Sequence, residues 1–324
     1  MMPADPQFNE ARLARALRRV QSLAEGERGV LEVVACGSSA IPALRAIVLT
    51  PEPSGLYQPR CAAVDALAML GDDNTLMELL ETPIETADPV AGAGEEAVRS
   101  AAARALSQCN DSRLLPTLLR LAATWHLPGA IEVLGARRCV AALPSTIAAL
   151  GDDIARPAAE TALRNLGEAA AAELWRAARN PQLDCGEETE SSRRRRRSAL
   201  TVLGDVGSSA TMDLEPLCND ADAAIAVAAC RIRLAGGTAP ERRRAVKRLV
   251  AVLDTADLPV RTDIEESLLT HADVTRDVLT AMSGPALWRT PDTMPSTPRD
   301  RLLRRVTRRI GAFPQNRTQR VAVA

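Results

Sequence analysis

Few residues in this chain of 324 are spaced for chemistry. His126 and His271 are the only histidines, and no partner spacing recommends either as a metal ligand or a general base. His271 falls in a column that should pack into a core. The seven cysteines, Cys36, Cys61, Cys109, Cys139, Cys185, Cys218 and Cys230, include no CxxC pair and read as free thiols in a reducing cytosol. Gly71-Asp72-Asp73 and Gly151-Asp152-Asp153 set carboxylates side by side, but an aspartate after a turn glycine caps the next helix. Gly92-Ala93-Gly94 is placed in a loop with no preceding strand, so it is not a phosphate cradle. Trp175, two places after Glu173, is one of only three tryptophans. Aromatic residues make up only 2% of the chain, and Trp175 sits at a buried helical position. The expectation is no catalytic residue, no cofactor and no metal.

Arginine supplies the strongest local signals. Residues 191–205 read SSRRRRRSALTVLGD, and the acidic stretch DCGEETE precedes them. Candidate contact residues there are Arg194, Arg195, Arg196 and Arg197, with Glu187, Glu188 and Glu190 as local acids. Glu190 stands three and four positions before Arg193 and Arg194, the spacing of helical ion pairs. Near the other end, eight arginines and one aspartate lie between Pro298 and Arg320. Leu302, Val306 and Ile310 share one helical side, and Arg301, Arg304, Arg305, Arg308 and Arg309 surround it. Such a helix either caps the structure before it or contacts nucleic acid, an anionic membrane or an acidic protein. Composition tempers both signals. The 40 basic residues include a single lysine, Lys247, so arginine is the default cation, and a formal net charge of −1 argues for no polyanion.

The elements that hold these residues are helices in a repeat. Alanine and leucine dominate, and both favour helix. PRCAAVDALAMLGDD (59–73), VRSAAARALSQCND (98–111), ARPAAETALRNLGE (155–168) and SRRRRRSALTVLGD (192–205) align, followed by AIAVAACRIRLAGG (224–237) and VRTDIEESLLTHAD (260–273). Their turn positions are Gly71, Asn110, Gly167, Gly204, Gly236 and Ala272, and further units turn near Gly37 and Gly135. Leucine or isoleucine recurs four places before the turn and alanine eight places before it, on one helical face. Arginine recurs eleven places before it, at Arg60, Arg99, Arg156, Arg193 and Arg261. A second helix follows, several times opened by an apolar-proline pair such as Ile41-Pro42, Leu115-Pro116 or Leu143-Pro144. The period is about 35 residues, and one hairpin cannot bury its apolar face alone, so the units must stack. In this register Arg196 replaces a packing alanine. Arg196→Ala is therefore expected to leave stability equal or higher, whereas Arg193→Ala should cost about 1 kcal/mol.

The array resembles the HEAT-like repeats of the short bacterial type first named from phycobilisome lyases, most closely at residues 98–122 and more loosely over residues 10–284. That resemblance implies an all-α, right-handed α-solenoid of about seven to eight HEAT-like helical hairpins. The expected organisation is a solenoid at 1–284, a proline-rich linker at 285–298 and a basic helix and tail at 299–324. The family includes scaffolds, inhibitors, bilin lyase subunits and alkylpurine DNA glycosylases. With no catalytic constellation, the expected function is a non-enzymatic cytoplasmic scaffold or adaptor that binds another protein. The alternative is a nucleic-acid-binding protein using Arg193–Arg197 and the basic tail, and a third reading is a lyase or glycosylase-type enzyme. No apolar run approaches a membrane span.

Overall fold

The computed structural model describes residues 6–50, 56–84, 88–207, 212–283 and 297–312. The linker residues 284–296 and the tail residues 313–324 lie outside the described residues. Those described form eighteen α-helices, short 3-10 turns and one two-stranded sheet. The fold is an all-α repeat solenoid. The chain divides into two compact units, residues 1–173 and 174–324.

The first unit holds α1 (Pro6–Val20), α2 (Gly26–Val34), α3 (Ile41–Leu49), α4 (Gln58–Leu70), α5 (Asp73–Glu81), α6 (Pro89–Ala105), α7 (Leu114–Trp125), α8 (Pro128–Ala136), α9 (Leu143–Ala149) and α10 (Arg156–Leu166). It also contains the start of α11 (Glu168–Arg179). The first helices of the hairpins, α2, α4, α6, α8 and α10, touch in that order and make one layer. The second helices α3, α5, α7 and α9 make the other layer. Leu67, Leu106 and Leu163, each four places before a turn, are fully buried between layers. Truncating one to alanine would cost about 2–5 kcal/mol. Small residues let first helices approach closely: a Cβ on Gly129 of α8 would collide with the Ser100 backbone of α6.

The second unit holds the rest of α11, β1 (Leu183–Asp184), β2 (Glu187–Glu188) and α12 (Glu190–Val206). It continues with α13 (Glu215–Cys218), α14 (Ala223–Gly236), α15 (Ala239–Val252), α16 (Leu258–Thr270), α17 (Ala272–Ser283) and α18 (Pro298–Ala312). Its first-helix layer is α12, α14, α16 and α18 in order. Thus α18 occupies the place of a further first helix. Leu302, Leu303, Val306 and Ile310 bury its apolar side.

Three local expectations change. The loop expected through residue 94 ends earlier, because Asp88 caps the Val90 amide and Pro89 opens α6, so Gly92-Ala93-Gly94 is helical. The acidic stretch becomes a hairpin in which Leu183 pairs with Glu188 and Asp184 with Glu187. Cys185 and Gly186 turn it with φ of 51° and 88°, the two positive values that a tight hairpin turn requires. Finally, α12 does not turn at Gly204. It runs on to a left-handed glycine at Gly207, φ 77°, and Gly204 lies in its last turn against Ile232.

Candidate functional site

Moving the α12 turn to Gly207 changes which arginine is the recurrent one. Eleven places before Gly207 stands Arg196, with buried Ala199 eight before and buried Leu203 four before. Arg196 therefore belongs with Arg60 and Arg99, and all three are about 5% exposed or less. Each does the same work. Helix C-termini leave their last carbonyls without intrahelical donors, and a cation there also meets the negative end of the helix dipole. Arg60 donates to Val48 O in the last turn of α3, at 3.1 Å from Nε and 2.7 Å from Nη2. Arg99 donates to Leu79 O at 3.2 Å and Thr82 O at 2.9 Å at the end of α5. Arg196 donates to Ala178 O at 2.8 Å at the end of α11. At these three places the arginine thus fastens the first helix of one hairpin to the end of the second helix before it, whereas Arg156 approaches Asp153 at 3.9 Å and, like Arg261, is only half-buried.

A buried guanidinium also needs a counter-charge. In the first unit one carboxylate serves two arginines: Glu95 pairs with Arg60 and, at 2.9 Å, with Arg99. Burial lowers the Arg99 pKa, Glu95 opposes that, and the nearby charges of Arg60 and Arg120 add to the lowering. In the second unit one arginine serves two carboxylates: Arg196 meets Glu188 at 2.8 Å and also Asp220. The hairpin aims Glu188 inward, where its other oxygen accepts from the Ser192 hydroxyl at 2.7 Å. Strand alternation leaves Glu187 exposed.

The rest of the arginine run is engaged nearer the surface. Arg193 and Arg194 approach Glu190 at 3.5 and 3.8 Å. Arg195 donates to Asn180 O at 2.8 Å, and burial lowers its pKa. Arg197 approaches Asp222, the N-cap of α14, at 3.8 Å. On α18, Arg305 and Arg309 reach Glu265 of α16 at 2.5 and 3.7 Å. Arg301 and Arg308 are exposed, and Arg304 is half-buried.

Surface ion pairs between successive helices of a layer run in both directions. Arginine stands on the earlier helix and carboxylate on the later one: Arg104 of α6 to Glu132 of α8 at 2.5 Å, Arg45 of α3 to Glu78 of α5, Arg231 of α14 to Asp263 of α16 and Arg243 of α15 to Asp277 of α17, the last two at 4.0 Å. Arg113 to Glu81, Arg244 to Glu215 and the α18 pairs run the other way.

The remaining candidates serve structure. His126 adopts φ 47° to end α7, and His271 is half-buried at the end of α16, its pKa lowered by burial. Asp72 accepts from the Thr75 hydroxyl at 2.6 Å, and Asp152 caps the amides of Ile154 and Ala155. Trp175 lies under the Arg179 guanidinium at 5.4 Å. Trp288 is outside the described residues. All seven cysteines are free. Among the described residues no three His, Cys, Asp or Glu gather as a metal set, and no helix is long and apolar enough to cross a membrane.

The second-helix layer of the first unit presents apolar side chains with few charges. On α7, Leu115 is 39% exposed, Trp125 likewise, and Leu119 is half-buried. The neighbouring α9, LPSTIAA, carries no charge and turns Pro144, Ile147 and Ala148 outward.

Sequence comparison agrees with this architecture. Residues 98–124, which span α6 and α7, match the PBS lyase HEAT-like repeat family. The chain is a HEAT-like repeat protein. The matched segment contains Arg99, the latter half of α6 and α7 up to residue 124, so the recurrent arginine lies inside the recognised repeat. No curated protein matches the chain.

Proposed function

We propose that this HEAT-like repeat protein is a non-enzymatic cytoplasmic scaffold that binds another protein through the second-helix layer of its first unit. The outward face of α7 and α9 carries the proposal. Leu115, Leu119 and Ile147 stand there with Arg120 as the only charge on either helix, and Arg120 is drawn aside to Leu80 O at 3.0 Å. Leu115 is exposed and Leu119 and Ile147 are half-buried, and apolar side chains open to solvent together on one face favour an interaction site. Catalysis finds little support, since His126 ends α7 and Asp72 and Asp152 accept hydrogen bonds within turns. A nucleic-acid role through Arg193–Arg197 is disfavoured because each of those arginines is engaged by the protein's own carboxylates or carbonyls.

Affinity capture from the native host, comparing wild type with Leu115→Glu/Ile147→Glu, tests the reading. A partner retained by wild type and lost by the double variant at unchanged melting temperature is the expected result. A partner set unaffected by the substitutions would overturn it.

A further inference from the structure

We infer that the outward face of α18 docks an acidic α-helix of a partner protein; the inference rests on the scaffold reading above but on a different surface. Four joints pair arginine on the earlier helix with carboxylate on the later one, whereas α18 itself turns arginine back onto Glu265 of α16. Helix α18 continues the first-helix layer of its unit. Its apolar residues are spent on α16 and α17, and Glu265 holds Arg305 and Arg309 on one flank. Arg301 and Arg308 occupy the crest, seven positions and therefore about 10 Å apart along one line of the helix. Arg304 lies on the flank opposite Glu265.

Among the described residues the face left open carries Arg301 and Arg308, as α14 offers Arg231 to Asp263 of α16. What complements it is the carboxylate side: a helix with Asp or Glu repeated two turns apart. Residues 313–324 contain no Asp or Glu side chain, so that segment does not supply the acids. A second copy is a poor occupant through its α1, whose exposed Arg12, Arg15 and Arg18 would meet α18 with like charge. The occupant is a different, acidic chain, held mainly by electrostatics and so released by salt.

The test uses the full chain and two probes, a capped helical peptide of alternating Ala-Ala and Glu-Glu pairs and an oligothymidylate of equal charge. At low salt the peptide should bind wild type, and Arg301→Glu/Arg308→Glu should weaken it about tenfold or more. Arg12→Glu/Arg15→Glu, which reverses two of the three exposed cations of α1, should leave the affinity unchanged. If the reversed-charge variant melts early, Arg301→Gln/Arg308→Gln replaces it, with a smaller loss expected in the same direction. Absence of peptide binding, equal weakening by the α1 variant, or unchanged affinity in both α18 variants would overturn the inference. Tighter binding of the oligothymidylate than of the peptide would overturn it in favour of nucleic acid. None of these outcomes bears on Leu115 and Ile147, so the two proposals fail separately.

Discussion

The two buried arginine clusters solve one structural problem with opposite charge balance. In the first unit Arg60 and Arg99 share Glu95, a local excess of one positive charge. In the second unit Glu188 and Asp220 share Arg196, a local excess of one negative charge. Both arrangements tie a first helix to the carbonyl end of the preceding second helix. The difference lies in what each can do when a partner is lost. Arginine keeps its proton in a protein, whereas a carboxylate stranded in a poor solvent can take one up. The arginine-rich cluster is therefore the more brittle.

The largest expected effect follows directly. Glu95→Ala leaves two guanidinium groups, each about 6% exposed or less, facing each other with no acid between them. Removing one partner of a buried ion pair typically costs about 3–5 kcal/mol, and this variant should fall in that range. Urea unfolding at neutral pH measures it. A loss under about 1 kcal/mol would show that the backbone carbonyls alone satisfy Arg60 and Arg99, and the counter-charge argument would fall.

Arg196→Ala comes next, at about 2–3 kcal/mol. It strands Glu188 and Asp220 and releases Ala178 O, but the carboxylates keep the Ser192 hydroxyl and the Asp222 amide as donors. This reverses the expectation from the repeat alignment, in which Arg196 displaced an alanine. The alignment took Gly204 as the turn, and the structure turns three residues later. A cost for Arg196→Ala equal to or greater than that for Glu95→Ala would remove the distinction between the clusters.

That three-residue shift marks the limit of what could be read without coordinates. Helix-turn-helix units, the leucine and alanine columns and the recurrent arginine were legible because helical period and burial write themselves into spacing. The register of α12 was not, because Gly204 and Gly207 both suit a turn. What separates them is tertiary: Gly204 lies against Ile232 of the next first helix. The answering acids were harder still. Glu95 could be paired with Arg99 by its spacing of four, but Arg60 is 35 positions away and Asp220 is 24 from Arg196. The hairpin that delivers Glu188 is only two residues per strand, too short for alternation to register. On α18 the apolar stripe was legible and its partner Glu265 was not.

Glu96 sharpens the comparison from beside Glu95. Burial raises its pKa, and the nearby charge of Asp152 raises it further. A raised carboxyl pKa means the folded state holds the proton more tightly than the unfolded chain. The site's contribution to stability is therefore fully present below the unfolded value and lost as pH rises through the folded one. Glu96→Gln should thus stabilise slightly at neutral pH, by about 0.5 kcal/mol or less because the site is partly solvated, and the gain should vanish in acid. Melting temperatures of variant and wild type across pH 3–8 read this directly. A gain that persists unchanged at pH 3 would assign the effect to packing instead of charge.

The smallest effect expected is the most diagnostic for the recurrent arginine. With a turn at Gly204, as the repeat spacing predicts, Arg193 would hold that place and its loss would cost about 1 kcal/mol. In the structure its side chain is 40% exposed and its partner Glu190 is 58% exposed at 3.5 Å. A solvated pair three residues apart on a helix contributes about 0.2–0.5 kcal/mol, and the greater helix propensity of alanine returns much of that. Arg193→Ala should therefore leave the urea midpoint nearly unmoved while Arg196→Ala, three residues on, shifts it by several times the measurement error. The contrast tests register in solution, since both substitutions remove the same side chain from the same helix. Equal losses at the two positions would mean that α12 turns elsewhere than at Gly207, and the assignment of Arg196 to the column of Arg60 and Arg99 would go with it.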